Sequence, residues 1–346
     1  MSSIEGNKRI DLLDYLRGFA LLGIILVNIL PLLEVKLPAP VSLDASYQRF
    51  LFLFVEGRFY TLFSFLFGVG FYLFISRAIA KGRNGYFLFF RRILILFIFG
   101  LIHVQFHQGE ALTVYAVVGL LLLPCFKVRR RINLGIGLLL LFAFSILASK
   151  LFMVIPLMLL GIAAGQYQVF ERVAEKLKKV KIFTLIVLIL GVWSLNYQYQ
   201  LVPSMPFGFF AGGVGEDTYM FLSMGIMIGP IVSALYVGIL ILLLQFPLVQ
   251  KILSPLKSYG RMALTNYLSQ TILIYLAGHI FQLFGQITYL QSLFVCLVIY
   301  ALQLIFSVMW LRYFHFGPME WLWRLLTYLK APPMKIQLKA SDAYKP

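Results

Sequence analysis

At 346 residues, 61% of them hydrophobic and only 12% charged, with a mean hydropathy of +0.90, the chain is too apolar for an ordinary soluble domain, which is about half apolar and about a quarter charged. Its 30 Lys and Arg against 13 Asp and Glu give a net charge of +17. That balance does not imply a nucleic-acid partner, because the excess sits in short segments between apolar runs, where it sets orientation and meets anionic lipid headgroups.

Apolar runs near the ~20 residues needed to cross a bilayer recur from end to end. With no barrel alternation they read as helices, the state that satisfies backbone polar groups within one segment. The first, 12–33, follows Lys8 and Arg9 as a signal peptide would, but it is too long and lacks a small-residue cleavage site, so it is expected to stay attached. The segment 34–58 is the largest external loop, and its amphipathic part, Tyr47 to Val55, is expected in the membrane interface. Further runs follow at 59–80, 89–107, 110–126, 132–148, 151–167, 182–201, 218–246, 259–284 and 289–314. In the second run, Gly68 and Gly70 suit close helix approach. Cys125 and Cys296 lie inside apolar runs far apart and read as packing residues, with no disulfide framework. The Gly-rich segment 205–217 lacks a phosphate-loop lysine and reads as a flexible external loop. No internal repeat is evident.

Basic residues alternate with these runs. Arg77, Lys81, Arg83, Arg91 and Arg92 separate the second run from the third, Lys127 and Arg129 to Arg131 the fourth from the fifth, and Lys176 to Lys181 the sixth from the seventh. The intervening turns are nearly free of Lys and Arg, so the basic side is the cytoplasmic one. The expectation is an all-α, polytopic membrane helical bundle of about ten transmembrane helices with both termini cytoplasmic. Residues 1–330 would form one domain and 331–346 a cytoplasmic tail.

Ionisable groups at membrane depth face a bundle interior or a watery cavity and are the functional candidates. They fall into two clusters. On the cytoplasmic side stand Asp14 and Arg17, three apart on one helix face and able to pair, with Arg261, Asn266, Glu320 and Arg324. Arg261 with Asn266, and Glu320 with Arg324, suit charge-assisted pairs that lock the bundle. On the outer side stand Asn28, Glu56, Arg58, His103, His107, Glu110, His279 and Gln282.

Two of the four histidines lie in the stretch LIHVQFHQGEALTVY, 101–115. His103 and His107 are one helical turn apart, and Glu110 opens the next run after Gly109, so all three can converge. A histidine held by a carboxylate can serve as a general base; two imidazoles and a carboxylate can also hold a divalent metal, although no second strong ligand set accompanies them. His107 is expected in the wet interface, leaving His103 as the base. Asn28, an amide in a wholly apolar stretch, needs a partner.

The stretches IDLLDYLRGFALLGIILVNI (10–29), EGRFYTLFSFLFGVGF (56–71), GLIH with GEALTVYAVVGLLLL (100–123), and YGRMALTNYLSQTIL with WLRYFHFGPMEWLWRLLTY (259–328) together resemble the bacterial YeiB family of membrane proteins, a domain of unknown function. The resemblance spans nearly the whole chain. Glu110 departs from the family's frequent aspartate, keeping the carboxylate on a longer arm. More remotely, DYLRG followed by an apolar helix ending in Asn is similar to the first span of transmembrane acyltransferases of the heparan glucosamine acetyltransferase type. That similarity implies a cytoplasmic acyl donor and an outer acceptor. The heparan group's histidine follows the first span, and residues 34–59 contain none, so His103 would act from another helix.

The leading expectation is therefore an acyltransferase-like membrane enzyme. His103 and Glu110 are the catalytic pair; Asn28, Glu56, Arg58, Tyr115 and His279 meet the acceptor; Asp14, Arg17, Arg261 and Asn266 meet the donor. No cofactor is permanently bound and no metal is required; acyl-CoA is the co-substrate. A transporter or exporter of a small metabolite or lipid is the main alternative, followed by a non-catalytic lipid- or quinone-binding protein. The expected partners are membrane lipids and a second copy as a homodimer, in a bacterial inner or plasma membrane.

Overall fold

The computed structural model describes residues 10–171, 173–208 and 215–336. Among them no strand forms; one isolated antiparallel bridge joins Phe314 and Lys335. The helices are α1 (Asp11–Leu32), α2 (Leu43–Phe50), α3 (Arg58–Ala80), α4 (Gly85–His103), α5 (Leu112–Leu121), α6 (Arg130–Ile146), α7 (Lys150–Gln166), α8 (Leu177–Gln200), α9 (Glu216–Leu243), α10 (Pro247–Ile252), α11 (Ser254–Arg261), α12 (Ala263–Ile280), α13 (Tyr289–Tyr313) and α14 (Pro318–Tyr328). Every apolar run of the sequence coincides with one of them or with an adjacent pair. Six helical stretches are long and apolar enough to cross a membrane: α1, α2 with α3, α4, α8, α9 and α13. Helices α5 and α7 are apolar but shorter.

Local chemistry sets the boundaries. Asn84 caps α4 by accepting from Phe87 N–H at 3.1 Å, and Thr288 with Gln291 forms a capping box at the start of α13. Gly57, at φ 77, makes the left-handed step into α3. Two of the tight helix crossings have backbone against backbone. A Cβ on Gly68 would lie 2.0 Å from Met158 O, so only glycine lets α3 meet α7 there. On Gly260 it would lie 1.9 Å from Asp14 O, at the crossing of α1 and α11. The second crossing brings Asp14, Arg17 and Arg261 to one end of the bundle. The outer face of α8, with Phe183, Ile186, Ile189 and Trp193 all exposed, is the apolar surface expected against lipid acyl chains.

The segment Tyr47–Val55, expected in the membrane interface, turns one face into the bundle and leaves Phe50 and Phe54 exposed. It forms the end of α2 and a π turn, Leu51–Val55, and Leu51, Phe52, Leu53 and Val55 are buried in the bundle. Gln48 anchors it, donating to Phe207 O at 2.6 Å and to the Tyr289 hydroxyl at 3.0 Å. Both cysteines are free, Cys296 in the core against α1. Of the expected external loop, residues 209–214 lie outside the described residues; of the expected tail, so do 337–346. Residues 334–336 return along the end of α13 through the hydrogen bonds His315 N–H to Met334 O and Ile336 N–H to Tyr313 O.

Candidate functional site

A cavity of about 910 Å³ enters the basic end of the bundle between α1, α3, α4, α12 and α14. Eight cationic side chains line it, Arg17, Arg77, Lys81, Arg83, Arg92, Arg261, Arg324 and Lys330, against two carboxylates, Asp14 and Glu320. Both carboxylates are already engaged: Asp14 pairs with Arg17 at 3.2 Å as its spacing predicts, and Glu320 accepts from Leu264 N–H at 2.7 Å, Thr265 N–H at 3.1 Å and the Thr265 hydroxyl at 2.6 Å. The chamber therefore carries a strong positive field, focused by apolar walls. Aromatic faces accompany the charge. The Arg92 guanidinium lies 3.4 Å over Trp323 and 4.9 Å from Phe74, Arg324 lies 4.3 Å from Phe316, and Arg83 lies 5.5 Å from Tyr328. Along α3 the lining runs from Arg77 to Phe63, about 21 Å at the ~1.5 Å rise of a helix. Its deep part is apolar, with Phe63, Leu66, Phe67, Leu96, Leu112 and Tyr267.

Directly behind Tyr267 and Leu112 lies the histidine cluster. The Tyr267 ring packs edge-on against His103, with 5.1 Å between centroids, and the Tyr267 hydroxyl accepts from Ala111 N–H at 3.4 Å. His103 is 5% exposed; its Nε2 lies 2.9 Å from Thr271 Oγ1 and its Nδ1 3.9 Å from Glu110 Oε1. At that distance Nδ1 has no hydrogen-bond partner. Glu110 is committed to the start of α5, accepting from Leu112 N–H, from Thr113 N–H at 3.0 Å and from the Thr113 hydroxyl at 2.7 Å. Burial raises the carboxyl's pKa, but the nearby His103 ring and the hydrogen bonds from Thr113 and Leu112 outweigh it and hold Glu110 below the usual range. Thr271, rather than Glu110, is thus the close orienting partner of His103.

His107 is a correction. Instead of sitting in the wet interface it is 3% exposed, with its ring 5.7 Å from that of His103. The turn after α4 is folded under α12, fastened by the Tyr275 hydroxyl donating to Phe106 O at 2.9 Å. Burial, reinforced by the neighbouring His103 ring, pushes the His107 pKa down to about 4, so that ring is neutral at ordinary pH.

The other expected residues divide. Asp14, Arg17 and Arg261 line the chamber. Asn266 does not; it donates to Tyr259 O at 2.9 Å and to Ser307 Oγ at 3.0 Å, locking α12 to α11 and α13. Glu56 and Arg58 occupy a separate small pocket at the opposite end with Lys150 and Gln198. There Glu56 pairs with Lys150, and Arg58 donates to Glu56 O and Gly225 O at 2.8 Å each and to Gln198 Oε1 at 2.6 Å. Tyr115 is buried with its hydroxyl 3.1 Å from Ser64 Oγ. Asn28 is half-buried and has no side-chain hydrogen bond among the described residues, and His279 is exposed, its ring against Phe284. Glu320 caps α12 in place of serving only as a partner for Arg324. Sequence reasoning missed Thr271 and Tyr267. It read Arg77, Lys81, Arg83 and Arg92 as orientation signals alone.

Fold and site together define a helical membrane protein with a deep cation-lined chamber. The chain belongs to the family described as "Protein of unknown function (DUF418)", whose match covers residues 164–330, and thus to the YeiB group. It is 58% identical over 98% of its length to the "Uncharacterized 39.9 kDa protein in amylase 3'region" of Bacillus acidopullulyticus, covering all of that protein. It is 27% identical to YxaH of Bacillus subtilis (strain 168) over 98% of this chain and 100% of that one. Identity to YeiB of Escherichia coli (strain K12) is 28% over 93% of this chain and 97% of that one. No solved structure matches the chain at a significant level.

Proposed function

We propose that the protein is a membrane acyltransferase of the bacterial inner or plasma membrane. It takes an acyl group from a polyphosphorylated thioester donor, acyl-CoA, that enters the basic chamber from the cytoplasm, and passes it to a hydroxyl or amine acceptor arriving from the other side. One observation carries the reading: the residues that close the chamber, Tyr267 and Leu112, are the immediate neighbours of His103 and Glu110. A donor with its phosphates among Arg17, Arg92, Arg261 and Arg324 and its base against the aromatic faces would extend its thioester toward that floor. Such charge-assisted contacts to phosphate are the strong ones. His103 then serves as the base, a role worth about 10²–10⁴-fold in rate.

The test is binding and turnover of radiolabelled acyl-CoA by purified protein. His103→Ala is expected to abolish turnover while CoA affinity stays unchanged; absence of both CoA binding and acyl-CoA turnover in the native protein sinks the reading. One feature favours a transporter instead. Helix α11 breaks into α12 at Met262 beside the chamber, and broken helices beside a binding site are a transporter device. Flux of a phosphorylated solute into proteoliposomes without acyl transfer would decide for it.

A further inference from the structure

On α12, Leu264, Tyr267 and Thr271 follow at i, i+3 and i+7 and form one stripe. The first two line the chamber, and Thr271 is next, about 6 Å further along the helix. Its side chain is buried at 5% exposure, and His103 Nε2 lies 2.9 Å from its Oγ1. The opposite ring nitrogen faces the Glu110 carboxylate. A carboxylate on that side favours the proton on Nδ1, which leaves the Nε2 lone pair to accept from the Thr271 hydroxyl. Hydroxyl, unprotonated imidazole nitrogen and carboxylate in this order form the arrangement that activates a hydroxyl nucleophile, recognised by geometry and roles rather than by chain position.

We infer that Thr271 Oγ1 is an acyl-accepting nucleophile, and that the acyl group crosses this part of the bundle as a covalent ester on Thr271. The inference rests on the acyl-transfer reading and deepens it. In the first half-reaction Oγ1 attacks the thioester carbonyl as its proton passes to His103 Nε2. The C–S bond then breaks, and the departing thiolate takes that proton as a free thiol. In the second, the acceptor oxygen or nitrogen attacks the ester carbonyl and gives its proton to Nε2. The C–O bond to Thr271 breaks, and the proton returns to Oγ1. Tyr267 stands between chamber and nucleophile, so the thioester reaches Thr271 past that ring; its hydroxyl accepts from Ala111 N–H and keeps its own proton for the carbonyl oxygen.

The experiment is a half-reaction. Full-length protein is mixed with radiolabelled acetyl-CoA or palmitoyl-CoA without acceptor, denatured and digested, and the labelled peptide is sequenced by mass spectrometry. Label is expected on Thr271 alone, as an oxygen ester that survives neutral hydroxylamine. Thr271→Val should lose the label and about 10²-fold or more of turnover, with CoA affinity and melting temperature retained, and Thr271→Ser should restore both label and turnover. Turnover without any label, label elsewhere, or full activity in Thr271→Val overturns the nucleophile while leaving acyl transfer standing. A native protein that neither binds nor turns over acyl-CoA removes both.

Discussion

Glu110 and Glu320 do the same job at two ends of the chamber. Each serves a helix that opens Ala-Leu-Thr and carries a tyrosine two residues later, Ala111–Tyr115 at α5 and Ala263–Tyr267 at α12. Each accepts from the leucine N–H, the threonine N–H and the threonine hydroxyl. These are the orphan donors that any helix start must satisfy. The settings differ. Glu110 precedes its own helix and faces His103, whereas Glu320 is sent back from α14 to a helix that began 57 residues earlier and stands among the chamber cations. Capping alone therefore accounts for both buried carboxylates, and a glutamate near a histidine is by itself no sign of chemistry. What distinguishes the first site is the imidazole with a hydroxyl on its other side.

Conservative replacement of the two glutamates separates charge from capping. Glu110→Gln keeps a carbonyl acceptor but removes the charge facing Nδ1, so acyl transfer should fall by about 10²-fold or more, read as kcat with CoA affinity unchanged. Glu320→Gln should leave kcat nearly intact; equal losses at both would dissolve the distinction. A smaller effect concerns stability. Glu110→Ala and Glu320→Ala should each cost about 2 kcal/mol in thermal unfolding, because helix-start donors lose their acceptor. A markedly larger loss at Glu110 would mean that its carboxylate does more than cap.

A further effect on stability is acid sensitivity at the His103 end. His107 is held near 4 in the folded chain against an ordinary value of 6.5, so between those values the unfolded chain binds a proton that the folded chain refuses. Stability is full above 6.5, declines as pH falls toward 4 and levels off below. His107→Gln should flatten that slope in melting temperature against pH, and an unchanged slope would assign the loss elsewhere.

The helices were legible because apolar runs of bilayer length leave the backbone no other state. So was the Asp14–Arg17 pair, since three residues on a helix fix a shared face. His103 and Glu110 were legible as neighbours because one turn joins them. Thr271 was not, for a threonine in an apolar helix carries no local mark, and its meaning comes from a histidine 168 residues away. Arg77 and Arg92 were legible as basic loop ends but not as the wall of a chamber, which only the crossing of α1, α3, α4 and α14 creates. Glu320 was read with its helical neighbour Arg324, but the α12 start offers its carboxylate three donors instead. The recurrence of Ala-Leu-Thr-x-Tyr was visible in the letters, yet without the two capping carboxylates it is a short coincidence.

The Arg92–Trp323 stack ties the chamber wall to the closing helix. The guanidinium stacks by its face, so its in-plane N–H groups remain the ones a phosphate would take, and Trp323 also donates its ring N–H to Arg92 O at 2.9 Å. An anion at Arg92 would thus sit beside the clasp between α4 and α14. Since Trp323 alone of the four tryptophans lines the chamber, its intrinsic fluorescence would be a native reporter of such an occupant.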